Sequence, residues 1–272
     1  SCRGHGGGAR GVLEERVSRH RATGDRRGEA LARSCLAWAE SIHGRYERAL
    51  EHQETAQAIL QAVNDPLFSA WTLFVRSLMH LDHGAFHPAA EILEQSIASW
   101  EIVGHRSGLA WALCLRAEID RAEGHLDAAA ARVQEASALF QALDCVWGLS
   151  LVDYSRGQIA RSRGERAEAE AWYRSSLALR ARRGLWLGIA ECLEALALTR
   201  FERGQALPAA RLLAAAAAER ERLGAPLPPR LRTPFEQRQT ALRAALGPEA
   251  FAAAWADGQA LPLEEAVALA SG

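Results

Sequence analysis

The chain of 272 residues carries 32 basic and 33 acidic side chains, a net charge of −1, and 49% of its residues are apolar types. So even a balance lacks the basic footprint of a nucleic-acid binder, and no apolar run is long and uninterrupted enough to span a bilayer. Every basic residue is Arg, which fits a GC-rich bacterial genome.

The opening SCRGHGGGAR is polar and glycine-rich and has no initial Met, as an excised fragment would be; it has no signal-peptide pattern. From there on a fixed punctuation recurs. Glycines stand at Gly4, Gly44, Gly84, Gly124, Gly164 and Gly204, forty residues apart, and five residues beyond each stands Ala9, Ala49, Ala89, Ala129, Ala169 or Ala209. A second break recurs at Gly24, Asn64, Gly104, Asp144, Gly184 and Gly224, residue types suited to a helix C-terminus. Each unit therefore reads helix, turn, helix, turn.

Small residues fall seven before the turn glycine (Ala37, Ser77, Ala117, Gly157, Ala197) and fourteen before it (Ala30, Ala70, Ala110, Ser150, Ala190). The two columns lie on one helical face, a seam along which helices can approach closely. The register predicts an incomplete repeat with a helix from Gly8 to His20. It then predicts helices over 27–42, 45–63, 66–82, 86–103, 106–122, 125–143, 146–162, 165–183, 186–203 and 205–222. The one proline cluster, GAPLPPR (224–230), ends the periodic region. Thr233, Pro234 and Glu236 read as a T-P-x-E helix start, with the helix running to Leu246. Gly247-Pro248 opens another helix, and a short one from Pro262 to Ala270 should fold back on its neighbours or await a following domain.

The small residue, the Gly seven later and the Ala five beyond resemble the tetratricopeptide repeat, stretched from its usual length of about 34 residues. The forty-residue period is similar to that in the sensor region of bacterial signal-transduction ATPases, including LuxR-type and maltose-regulator-like transcriptional activators. LGPEAFAAAWADGQALPLEEAVALA (246–270) resembles the segment that closes that region in LuxR-type proteins, ahead of a helix-turn-helix. The resemblance implies an all-α, right-handed superhelical solenoid of TPR-like helix-turn-helix repeats. Residues 1–223 would form the array, 224–230 the linker and 231–272 a short helical C-terminal cap.

In tetratricopeptide solenoids the residues thirteen, ten, six and three before the turn glycine line a concave groove, and these four positions lie within about 80° of one another on a helical wheel. Here they are Trp71, Phe74, Leu78 and Leu81; Trp111, Cys114, Glu118 and Arg121; Leu151, Tyr154, Gln158 and Arg161; and Glu191, Glu194, Leu198 and Phe201. Trp71, Phe74, Trp111 and Tyr154 are the expected contacts for a ligand or partner, with Glu118, Arg121 and Arg161 as polar anchors; core filling by the large aromatics is the competing reading. Eight before the glycine, where leucine is expected, stand Arg76, Arg116 and Arg156. This ladder would either hold an anion or acidic partner segment, or pair with Asp120 and Asp153.

Other patterns imply less chemistry. His80, His83 and His87 have H-x2-H-x3-H spacing, but Gly84 interrupts the face and no acidic ligand matches, so no metal site is expected. GHGGGARG lacks the ending of a phosphate loop. Five scattered cysteines, Cys2, Cys35, Cys114, Cys145 and Cys192, exclude a disulfide framework, and Cys35, Cys114 and Cys192 are expected to be reduced core residues of a cytoplasmic protein. With no cofactor motif and no clustered acid and base, an enzyme is not expected. The resemblance implies a sensor domain that binds a small-molecule inducer or a protein or peptide partner and signals to ATPase and helix-turn-helix domains of the same chain, without touching nucleic acid or membrane itself. The alternative is a stand-alone adaptor that holds a partner's peptide segment.

Overall fold

The computed structural model describes residues 5–272, with side chains from Arg10 onward, and among these residues there are fourteen helices and no strand. The first helices of the repeats are α2 (Arg26–Ile42), α4 (Pro66–Asp82), α6 (Arg106–Ala122), α8 (Val146–Ser162) and α10 (Trp186–Glu202). The second helices are α1 (His5–Ala22), α3 (Tyr46–Ala62), α5 (Phe86–Val103), α7 (Leu126–Ala142), α9 (Arg166–Arg183) and α11 (Ala206–Leu223). Three more follow, α12 (Pro229–Leu246), α13 (Pro248–Ala260) and α14 (Leu263–Ser271). The fold is an all-α, tetratricopeptide-like array of helical hairpins, and α2 to α11 begin and end within one residue of the positions the register predicts.

The breaks between repeats show why those six residue types recur. Gly24, Asn64, Gly104, Asp144, Gly184 and Gly224 all have positive φ, 71, 53, 70, 49, 64 and 61°. Only glycine, and at modest cost asparagine or aspartate, adopts this left-handed conformation readily. The chain forms two compact units, one running up to Ala112 and the other from Leu113 to Gly272, with the division inside α6. The linker and the last three helices belong to the same unit as the later repeats.

Within each unit the hairpins close on the small-residue seam. Both small columns are buried, and their serines bond across it. In the first unit Ser77 Oγ donates to Ala89 O at 2.7 Å and Ser96 Oγ to Ala70 O at 2.8 Å. In the second, Ser176 Oγ donates to Ser150 O at 2.6 Å, eighty residues on from the Ser96 bond.

A further column sits sixteen residues before the turn glycine: Gly28, Phe68, Gly108, Gly148 and Gly188. Each faces the residue eight positions earlier, on the preceding second helix: His20, Leu60, Trp100, Phe140 and Arg180. A Cβ built on Gly108 would lie 2.6 Å from the Trp100 ring, and one on Gly188 2.7 Å from the Arg180 guanidinium. Where the column carries Phe68 instead of glycine, the opposing residue is the smaller Leu60, and the two share a core cluster.

The last three helices complete the second unit's core. Alanine-rich α11 admits α13 closely, since a Cβ on Gly258 would stand 2.8 Å from Ala214 Cβ. The buried Arg200 donates to the last carbonyls of α14, Leu269 O and Ala270 O, both at 3.0 Å, and Arg174 adds a 3.3 Å bond to Ala270 O. Glu170, also buried, holds Arg174, Arg200 and Arg203. These donors satisfy carbonyls that a helix terminus otherwise leaves without partners. The final helix thus folds back on its neighbours.

Two expectations are corrected. The helix expected to start at Pro234 begins at Pro229, with Pro228 as its N-cap, so Pro234 lies inside it. Prolines in the first turn lose no intrahelical bond, and the Pro228-Pro229 pair supplies that start earlier than the T-P-x-E pattern does. Cys35 is exposed, although Val75, Leu115 and Ser155, which share its column nine before the glycine in later repeats, are buried; Cys114 and Cys192 are buried, and Cys2 lies outside the described residues. Burial pushes the Cys114 thiol up to about 12, which keeps it protonated and unreactive.

Gly157 gives a direct test of the seam, since its Cβ would meet the Tyr173 ring at 2.6 Å. Gly157→Leu is expected to lower stability by about 1–3 kcal/mol, the usual cost of overpacking, in thermal or urea unfolding; an unchanged melting temperature would contradict the packing described.

Candidate functional site

The groove columns of the first unit form an open aromatic face. Trp71 and Phe74 stack on α4, ring centroids 5.4 Å apart and planes 27° from parallel, and Trp71 remains 41% exposed. Trp38, six residues before Gly44 and therefore in a groove column of α2, is 50% exposed. Trp111, in the same column as Trp71, is half-buried. Trp38 was missed in the sequence because the groove columns were followed only from the second full repeat; the same register finds it. Two exposed tryptophans on one face of a repeat array are costly to leave in water, and their large flat surfaces suit a partner's apolar side chains.

The second unit brings together the charged members of the predicted site. Arg121 grips Glu118 with two bonds, Nε at 3.1 Å and Nη2 at 2.9 Å, and reaches Ser162 Oγ at 3.4 Å. Arg161 pairs with Glu202 at 3.1 Å. Tyr154 is enclosed rather than presented: its ring lies 5.6 Å from that of Tyr173, and the Arg180 guanidinium stands 4.8 Å from its centroid. Burial raises the Tyr154 pKa well above the ordinary 10 and pushes that of Tyr173 up to about 12. Arg180 itself is anchored on Gly188 O at 2.6 Å and Glu191 at 2.8 Å.

Across this face lies α12. Its inward stripe is Arg230, Leu231, Pro234, Phe235, Arg238 and Leu242, the spacing of one helical face, while Arg232, Thr233, Glu236, Gln237 and Thr240 are exposed. Arg230 reaches Glu118 on α6 at 3.4 Å. Eight residues along, Arg238 is held among Arg161 and Tyr154 of α8 and Glu194 and Glu202 of α10; burial first, then the Arg161 guanidinium, lowers its pKa, with the two carboxylates opposing. Nothing in the sequence marked this docking: α12 follows a linker and shares no register with the columns it covers.

The arginine ladder is placed elsewhere. Arg116 pairs with Asp120, which also takes Arg132 at 2.8 Å. Arg156 pairs with Asp153 at 3.5 Å, bonds Ser137 Oγ at 3.2 Å and lies over the Trp172 ring at 4.9 Å. Both therefore point toward second helices. Arg76 stands near Tyr46 and His80. Ligand atoms of Asp120, Glu123 and His125 come within 4.8 Å of one another, but two guanidinium groups already neutralise the Asp120 carboxylate a cation would need. The histidine trio is not assembled. His80 Nδ1 is 2.6 Å from the Tyr46 hydroxyl and His83 stacks on the Tyr46 ring at 3.8 Å, whereas His87 stands 3.5 Å from Glu91. Among the described residues no helix is long and apolar enough to cross a membrane.

The Tyr46–His80 contact carries a pH dependence. Burial first, then Arg76 and His83, holds the His80 pKa below its ordinary 6.5. The unfolded chain therefore binds this proton more readily, so the site's contribution is complete above about pH 6.5 and is lost as pH falls below it. Melting temperature is expected to drop more between pH 7.5 and 5.5 in the wild type than in His80→Gln; equal drops would remove His80 as a cause.

No protein-family model matches the chain, and no curated protein matches it in sequence. Solved structures do match in fold. BtubC (BKLC) from P. vanneervenii aligns with a TM-score of 0.62 at 17% identity, over 79% of this chain and 91% of that one. A Rap protein complexed with competence and sporulation factor gives 0.65 at 15%, over 88% and 66%. Aspartyl phosphate phosphatase F from Bacillus subtilis gives 0.61 at 14%, over 84% and 60%. This chain thus spans most of BtubC and less than two thirds of the length of the other two, and what it shares with all three is a helical-repeat fold.

Proposed function

We propose that the chain is a protein-interaction module, without catalytic activity of its own, that binds a segment of a partner protein on the aromatic face of its first unit. The observation that carries this reading is the exposure of Trp38 and Trp71 on the groove columns, beside Phe74 and Trp111. Tryptophans so placed give large contact area for little lost rotamer freedom, which is why they dominate binding hot spots. The Rap structure, solved with competence and sporulation factor, supports a binding role for this kind of array. In its fuller form the reading makes the chain the cytoplasmic sensor region of a bacterial regulator, coupled to ATPase and helix-turn-helix domains and responsive to an inducer or partner; the resemblance of the forty-residue period and of residues 246–270 supports that form.

The test is to select peptides from a random display library against the whole chain and titrate the binders against variants. Trp38→Ala, Trp71→Ala and Trp111→Ala are each expected to weaken binding at least five-fold, about 1 kcal/mol, with helical circular dichroism unchanged. Peptides that bind all three variants as tightly as the wild type, but lose affinity to Arg76→Ala, Arg116→Ala or Arg156→Ala, would move the site to the arginine ladder.

A further inference from the structure

The second unit's groove face is already covered, and by a segment that enters its core chiefly through one residue, Leu242. Of the eighteen residues of α12 only Leu242 is fully buried, against seven in α8. Its inner side leaves an open apolar cavity of about 410 Å³ between α11 and the linker, lined by Ala217, Gly224, Pro226, Leu227 and Phe235. Pro234 removes one of the helix's own hydrogen bonds. Arg230 shares Glu118 with a closer partner, Arg121, and Arg238 stands beside another guanidinium, that of Arg161. The linker ahead of α12, with Gly224, Pro226 and Pro228, joins it to α11 without any regular structure of its own.

What α12 presents also defines what the face accepts: one helical stripe of Leu231, Phe235 and Leu242, the last two packed on the second unit's core cluster, with Arg230 and Arg238 eight residues apart on the same stripe and Arg230 meeting Glu118 at the edge. We propose that this face is a docking site for a basic amphipathic helix of a partner protein, and that α12 is the internal occupant which such a helix displaces. A helix laid in a groove by apolar anchors at i, i+4 and i+11 spacing, with basic residues reading carboxylates at the rim, is a recurrent way of recognising a segment. Because α12 is tethered, an incoming helix competes against a high local concentration, so affinity is low while α12 is seated and rises once it is weakened. The inference stands on the second unit alone and is independent of the aromatic face of the first.

The probe is a fluorescent peptide with the sequence of residues 229–246, titrated by anisotropy against the full chain. Replacing Arg230 and Arg238 of the chain by Glu sets α12 against the carboxylates of the face, and this variant is expected to bind the peptide at least ten-fold tighter than the wild type does. A peptide carrying Arg230→Glu and Arg238→Glu should bind neither chain. Equal affinity of the two chains, or tight binding of the charge-reversed peptide, would overturn the proposal. Should the double variant lose helical content, Arg230→Ala carries the test, with at least three-fold tighter binding expected and unchanged affinity counting against it. Peptides selected on the tryptophan face should compete with this probe in no case; competition would merge the two sites and contradict the separation.

Discussion

The fold depends on how closely a first helix can approach the second helices on either side of it. At three columns that approach is set by side-chain volume: small residues seven and fourteen before the turn glycine, and a glycine sixteen before it that receives His20, Trp100, Phe140 or Arg180 from the preceding helix. Interiors packed to crystal-like density leave no room for a methyl group that is not already counted. In the one repeat where Phe68 stands in the glycine's column it packs on the cluster of Ala30, Ala56, Ile59 and Leu60, so the column there takes a side chain into the core.

The side away from the seam is shared between structure and chemistry: Leu81 and Cys114 of the groove columns are buried, while other members of those columns reach the surface. In the first unit that side presents tryptophans to water. In the second it presents ion pairs, and α12, packed on α11 and α13, reaches it through Arg230 on Glu118. Buried polar pairs such as Glu194 with Arg220, at 2.5 Å, or Glu170 with its three arginines, fix where helices may sit without adding much to net stability. They suit a protein whose chain lacks lysine, since guanidinium groups bond two oxygens at once and keep their charge when buried.

The repeat was legible in the sequence because its signals are local: a turn glycine, a left-handed break and a small column each act over a few residues and recur with a fixed period. That is why ten helices could be bounded to within one residue. Pro234 misled because a T-P-x-E pattern and a Pro-Pro pair both mark helix starts, and only packing decides between them. Cys35 is exposed while Val75, Leu115 and Ser155 of the same column are buried, so neither residue type nor column fixes burial at the first full repeat. The site was legible in part. Columns place Trp71 and Arg121 on the groove face, but the enclosure of Tyr154 by Tyr173 and Arg180 comes from α9, and the cover over Glu118 comes from Arg230, more than a hundred residues away. Contacts of that range leave no periodic trace.

The central claim is that seam and face are separate: the seam holds the array together, and α12 joins the second unit's core chiefly through Leu242. Residue-resolved native-state hydrogen exchange tests this most directly, since it gives an opening free energy for each segment. The account predicts that amides of α8 and α10 exchange only through global unfolding, whereas those of α12 exchange through a local opening of distinctly lower free energy. Protection of α12 equal to that of α8 and α10 would make it part of the core and contradict the account.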